Sequence, residues 1–365
     1  MTLHLYVMRR YLVLFAVVAG VFGGLALVVE TESALRTHAR AGMADALGMA
    51  LLRVPATLYE VLPVVALLAA LGLALRLARS SELVIIRASG RSATTTLLAP
   101  ALVAAVLGVV AVALLNPVSI IAQRAFEARS AMLGGSVPQD LSISAEGLWL
   151  RQAGGSGQTV IHARRASTDA TRLEQVSVHE LSPDGRILMR HEAARAELVT
   201  GAWALIDGKS WQLEDGGGPA ELGARRFSAL RLETDLTANA IREGVGAPGR
   251  VSVWGLSAHV ERLDRAGFST LPHRVHLQQQ LAMPLLLAAM ALLGASLLTR
   301  PARMGRTGVM ALAAMVVGLG VYFLRNFAGI LGRAGDVPLV LAAWSLPVAA
   351  LLVALSVLLH AEEGG

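Results

Sequence analysis

The chain has 365 residues, 55% of them hydrophobic, with a mean hydropathy of +0.58 and a formal net charge of +6. That hydropathy excludes an ordinary soluble domain and places the chain among membrane proteins. It has no cysteine, which excludes disulfides, thiol nucleophiles and cysteine metal sites.

Six apolar runs are long enough, at about 20 residues each, to cross a hydrocarbon core. They cover residues 11–29, 54–75, 97–115, 281–299, 308–324 and 338–359. The first lacks a small-residue cleavage site with the right flanks and reads as a retained span, not a signal peptide. The positive charge is almost wholly arginine, with Lys209 the only lysine. Arg9 and Arg10 precede span one, Arg76, Arg79, Arg87 and Arg91 join spans two and three, and Arg300, Arg303 and Arg306 join spans four and five. The opposite connections hold only Arg36, Arg40, Arg53, Arg325 and Arg333. This bias places both termini and the 76–96 connection in the cytoplasm. Topology therefore accounts for the arginines, and nucleic acid is not an expected partner.

Residues 118–275 then form one insert on the outer face, between 1–117 and 276–365. Alternating stretches occur at 141–150, 159–166, 175–182 and 185–193, with turn signals at 154–157, 182–185, 206–210 and 214–219. Period-two alternation with frequent turns reads as a β sandwich, jelly roll or barrel. Residues 256–267 read as a helix leading back to the membrane.

The interiors of spans three to six contain no ionisable side chain, which argues against an ion-coupled carrier. Glu60 reads as an interfacial charge near the outer end of span two. Small residues at 20–24 and 318–322 read as packing sites. Gly208-Lys209-Ser210 matches only the end of a P-loop and reads as a hairpin turn. The histidines are scattered without metal-ligand spacing, and no G-x-S-x-G elbow accompanies the serines. No catalytic residue and no cofactor or metal site is expected in this chain.

Between spans two and three lies ARSSELVIIRASGRSA, residues 78–93. Ser81 is placed to cap a short helix whose first turn carries Glu82, favourable against the helix dipole. Leu83, Val84 and Ile86 supply an apolar side, and Gly90 is a natural stop. Two readings stand: a linker resting on the membrane surface, its arginines on anionic lipid, or a coupling helix that docks on a cytoplasmic partner and passes motion to the spans.

SELVIIRASG (81–90) resembles the coupling segment of the LptF/LptG permeases, which export lipopolysaccharide. Pro55 and Pro63 at the start of span two, and the stretches 276–294 and 320–347, are similar to the same family, the last two more to its LptG branch. The resemblance implies a polytopic α-helical membrane protein with six transmembrane helices and a periplasmic β-jelly-roll-like domain between helices 3 and 4, in the bacterial inner membrane. It implies a half-transporter that works with an LptF-like second permease on an LptB-like ATPase dimer. That partner binds the ATP. Lipopolysaccharide would pass to LptC- and LptA-like periplasmic proteins. By position, Glu82, Leu83, Arg87 and Gly90 would form the ATPase-coupling helix. Arg36 and Arg40, near the outer end of span one, would meet the lipid's phosphates, with Glu30 and Glu32 as unusual acidic neighbours. Leu312, Met315, Leu319 and Phe323 of span five would line the lipid cavity. The LptF paralogue of the same machine, and a non-transporting membrane-anchored β scaffold, remain the alternatives.

Overall fold

The computed structural model describes residues 2–38, 42–80, 93–133, 141–144, 147–154, 157–167, 171–182, 186–212, 224–234, 248–265, 269–296 and 307–363. They form two compact units, Met1–Ser136 with Arg274–Gly365, and Val137–His273.

The first unit is helical: α1 (Thr2–Thr37), α2 (Met43–Arg79), α3 (Ala93–Val110), α4 (Asn116–Met132), α6 (Leu271–Leu281), α7 (Met283–Ser296), α8 (Thr307–Ala334) and α9 (Leu339–Glu363). Among the described residues, five helices are long and apolar enough to cross a membrane, and α6 and α7, bent by 49°, make a sixth if they count as one span. α7 is buried along almost its whole length, as expected of a helix that is apolar all round. It packs against α2, α3 and α9 in the core. The first and fifth spans differ sharply. Each leaves most of its apolar window unburied, with Val17, Val21 and Leu25 of α1 and Val316, Phe323 and Phe327 of α8 exposed.

Two sequence-based boundaries move. The third span does not end near residue 115. It runs on through one π turn, Ala111–Leu115, into α4, so that Leu97–Ser130 is a single continuous helix whose second half is polar. Pro117 lacks the N–H that an α-helix needs at that position, and the widened turn before it absorbs the mismatch. The fifth helix runs ten residues past the expected end at 324, to Ala334.

The second unit is a seven-stranded antiparallel sheet: β1 (Leu141–Ser144), β2 (Gly147–Gly154), β3 (Gly157–Ala166), β4 (Arg172–Leu181), β5 (Ile187–Val199), β6 (Ala202–Gln212) and β7 (Arg225–Glu233), each paired with its chain neighbour. This order is a meander. Among the described residues it shows no Greek-key crossing of the kind a jelly roll has. One face is apolar, with Leu150, Ile161, Val176, Val178, Leu205 and Trp203 buried together. Helix α5 (Val253–Arg265) buries Leu256, Val260 and Leu263 on one side, and Leu263 joins that cluster.

The sheet is strongly curled. Thr234 at the end of β7 donates to Gln152 Oε1 of β2 at 2.6 Å, although five strand positions separate β2 from β7. The cause is visible in the pairing. From β3 to β7 the ladders skip one aligned row, residues 164, 175, 194, 207 and 228. Gln175 and Asp207 in that row have φ of 52° and 55°. The sheet bends along this crease. The expected turn at 206–210, with Gly208-Lys209-Ser210, is therefore no turn but the crease inside β6.

Candidate functional site

Of the residues singled out by sequence, Arg40, Glu82, Leu83, Arg87 and Gly90 lie outside the described residues. Arg36 stands exposed in the last turn of α1 and is ion-paired with Glu32 one turn earlier. Its acidic neighbours thus have a local explanation. Glu30 takes the Arg53 guanidinium of α2 at 3.3 Å and accepts the Thr57 hydroxyl at 3.2 Å. Arg53 also lies over the Phe126 ring of α4 at 5.2 Å, Asp45 of α2 pairs with Arg129 of α4 at 2.9 Å, and His38 Nε2 meets Ser130 Oγ at 2.8 Å. The ends of α1, α2 and α4 are laced by charge. Exposed pairs of this kind stabilise by only about 0–1 kcal/mol each, so Arg36 is available to a stronger anion.

Leu312, Met315, Leu319 and Phe323 fall on one side of α8, at helical spacing. Leu312 is 60% and Phe323 65% exposed, Met315 is exposed and Leu319 half-buried. The opposite side of α8 packs inward through Ala314, Gly318, Gly329 and Gly332. Because the helix extends beyond residue 324, Arg325 lies within it, partly buried and in electrostatic reach of Tyr59 of α2 and of Tyr322. It stands one residue beyond the apolar run 308–324, which itself holds no Asp, Glu, Lys, Arg or His.

Around Arg325 the helices share a polar cluster that the sequence reading missed. Three consecutive glutamines close α6 at the break in the fourth span, and each reaches a different helix. Trp344 Nε1 of α9 donates to Gln278 Oε1 at 2.9 Å. Gln279 lies against Gly329 of α8, where any β carbon would collide with its amide. The Tyr59 hydroxyl of α2 donates to Gln280 Oε1, and Gln280 Nε2 lies 3.1 Å from His276 Nε2. Gln279 and Gln280 are buried. Inside a membrane protein such amides must find partners within the bundle. The signal was legible as a run of glutamines just ahead of Met283-Pro284, where Pro284 removes the donor for the Gln280 carbonyl and favours a kink.

In the β unit, His259 of α5 sits beside His273 with ring centroids 5.1 Å apart. Burial first, then the neighbouring His273 and Arg262 charges, push its pKa down to about 4. His179 is likewise held low, by burial and then by Arg190, which faces it across β4 and β5. On the apolar side of the sheet, His191 Nε2 meets Glu180 Oε1 at 3.2 Å. Among the described residues no group of three His, Asp or Glu side chains is arranged to hold a metal.

A family profile described as the lipopolysaccharide export system permease LptF/LptG matches residues 5–360. The lipopolysaccharide export system permease protein LptG of Escherichia coli strain K12 is 26% identical over 314 residues, covering 83% of this chain and 82% of the relative. LptG of Escherichia coli O6:H1 strain CFT073 aligns with the same identity and coverage.

Proposed function

The chain belongs to the LptF/LptG family of lipopolysaccharide export permeases, and from that premise we propose that it is the LptG-like half of an ABC transporter in the bacterial inner membrane. Its substrate is lipopolysaccharide, taken from the outer leaflet and passed to periplasmic LptC- and LptA-like proteins. It carries no catalytic group. An LptB-like ATPase dimer hydrolyses ATP, and Glu82, Leu83, Arg87 and Gly90 receive the motion.

One observation carries this reading. Only 11% of the apolar window is buried in the first and in the fifth span, against 61% in the second. Two such poorly covered helices call for a second permease whose own spans close the cavity. The stripe Leu312, Met315, Leu319 and Phe323 then faces the acyl chains. Arginine at Arg36 and Arg40 suits phosphate, which it grips with paired donors.

The test is purification of the chain from its native membrane in mild detergent. Co-purification of an ABC ATPase and a second six-span permease is expected. Glu82→Ala is expected to leave the complex in the membrane and abolish export. A solitary chain, or normal export by that variant, overturns the assignment.

A further inference from the structure

Beside the π turn Ala111–Leu115, the third span, α1 and α2 border a groove of about 330 Å³. Phe15 of α1, Leu62 of α2, and Leu107, Leu114, Leu115 and Val118 of the third span line it, and every lining side chain is apolar. Leu114 and Val118 are exposed, so the groove opens sideways. Leu107 and Leu115 are half-buried behind them. The span cannot simply shift across to fill the space. A β carbon on Gly108 would stand 2.6 Å from Pro284 Cα, so the helix is held against α7 at closest backbone approach, three residues before the π turn.

We propose that this groove holds one acyl chain of a bilayer phospholipid, wedged between α1 and the π turn. Depth selects a chain and not a headgroup. From Phe15 to Leu115 the lining lies within the apolar runs 11–29, 54–75 and 97–115. Space lined only by such side chains stays dry, and roughly 150 Å³ of it holds one benzene molecule, so this groove takes about a dozen carbon atoms, most of a single chain. A phospholipid can leave its second chain in the bilayer. The groove is also apart from the face given above to a second permease. Phe15 is two residues from Val17 and six from Val21, which at about 100° per residue turns it about 160° and 120° away from them around α1.

Hydrocarbon surrounds the spans in any case, so no exclusion of water drives this binding. The preference comes from shape. A chain in the groove meets atoms of three helices, where a chain on a flat helix face meets one. The result is an enrichment of several-fold, not a tight complex. The π turn makes the site. Its extra width carries Leu114 and Leu115 apart from α1, and small, buried Ala111 leaves the floor open.

The experiment places the full chain in vesicles of phosphatidylethanolamine and phosphatidylglycerol with a trace of a phospholipid that carries a photoreactive diazirine midway along one chain. Adduct positions are read by peptide mass spectrometry. Val106 is 61% exposed and lies outside the groove, so simple access would label it more than half-buried Leu107. The groove reverses that order, and Leu107 and Leu115 are expected to exceed Val106 and Leu102 by about fivefold. Leu114→Trp, which fills the mouth, is expected to lower labelling at Leu107 and Leu115 by about fivefold, while Val106→Trp leaves it unchanged. Labelling in the order of access overturns the site, and so does an unaltered pattern in Leu114→Trp. If that variant fails to fold, the wild-type order alone decides. Loss of the groove adducts to added lipopolysaccharide, but not to equal added phospholipid, overturns the assignment by making the transported lipid the occupant. Their absence in the complex purified from its native membrane overturns it in favour of a partner's helix.

Discussion

Gly294 of α7 and Leu67 of α2 approach so closely that a β carbon on Gly294 would stand 2.5 Å from the Leu67 carbonyl oxygen. Small residues permit this backbone-to-backbone packing in a bundle that gains nothing from excluding water. Gly294→Ala is expected to force the two helices apart and cost about 1–3 kcal/mol. Gly20, with open space around it, is the control. Unfolding midpoints in detergent check the pair. Equal midpoints for Gly294→Ala and Gly20→Ala would show that the two helices do not bear on each other.

At the crease, Asp207 holds φ of 55°, a conformation that aspartate tolerates and β-branched residues do not. Asp207→Gly is expected to leave stability within about 1 kcal/mol. Asp207→Val is expected to cost about 1–2 kcal/mol. Next to it, a β carbon on Gly208 would strike the Glu192 carbonyl and the Phe227 ring, so Gly208→Ala should also destabilise the sheet. Protease resistance of the β unit in the full chain reads all three. A Val variant as resistant as wild type would remove the crease from this account.

The pH dependence has a definite sign. The folded chain holds the His259 pKa down to about 4 against an ordinary 6.5. Between those values the unfolded chain binds a proton that the folded chain refuses, so stability falls as pH drops through that window and is unaffected by this group above it. His179 acts in the same sense. The unfolding midpoint should be flat from pH 8 to 7 and fall from pH 6.5 towards 4, with a shallower fall in His259→Asn. An equally steep fall in that variant would assign the dependence to other groups.

Arg36 and Glu32 are both well exposed, so either variant should change stability by less than about 0.5 kcal/mol. Their effects on lipid should differ. Glu32→Gln frees the guanidinium and is expected to raise lipopolysaccharide binding, whereas Arg36→Gln is expected to lower it. Binding measured at two salt concentrations is the check. Unchanged affinity in both variants would remove Arg36 from the lipid site.

Much of the architecture was legible in residues. Apolar runs, arginine spacing and period-two alternation are local, so the membrane spans, β3, β4, β5 and helix α5 could be read directly. What failed was also physical. Apolar length locates the hydrocarbon-crossing part of a helix but not its polar ends, so α4 falls in the expected outer insert and the last ten residues of α8 in a connection. Asp207-Gly208 has turn chemistry, yet it bends a strand instead of ending it.

The sequence by itself determined the class of molecule, the family resemblance and the stretch 81–90 as the coupling candidate, because each rests on composition or on contiguous residues. Only the tertiary structure decided which side chains meet. Tyr59 and Gln280 are 221 residues apart, and Gln152 and Thr234 are 82 apart. No local pattern encodes such pairs. The Glu30–Arg53 pair is of the same kind: its charges read as oddities along the chain and become partners only when α1 and α2 lie side by side.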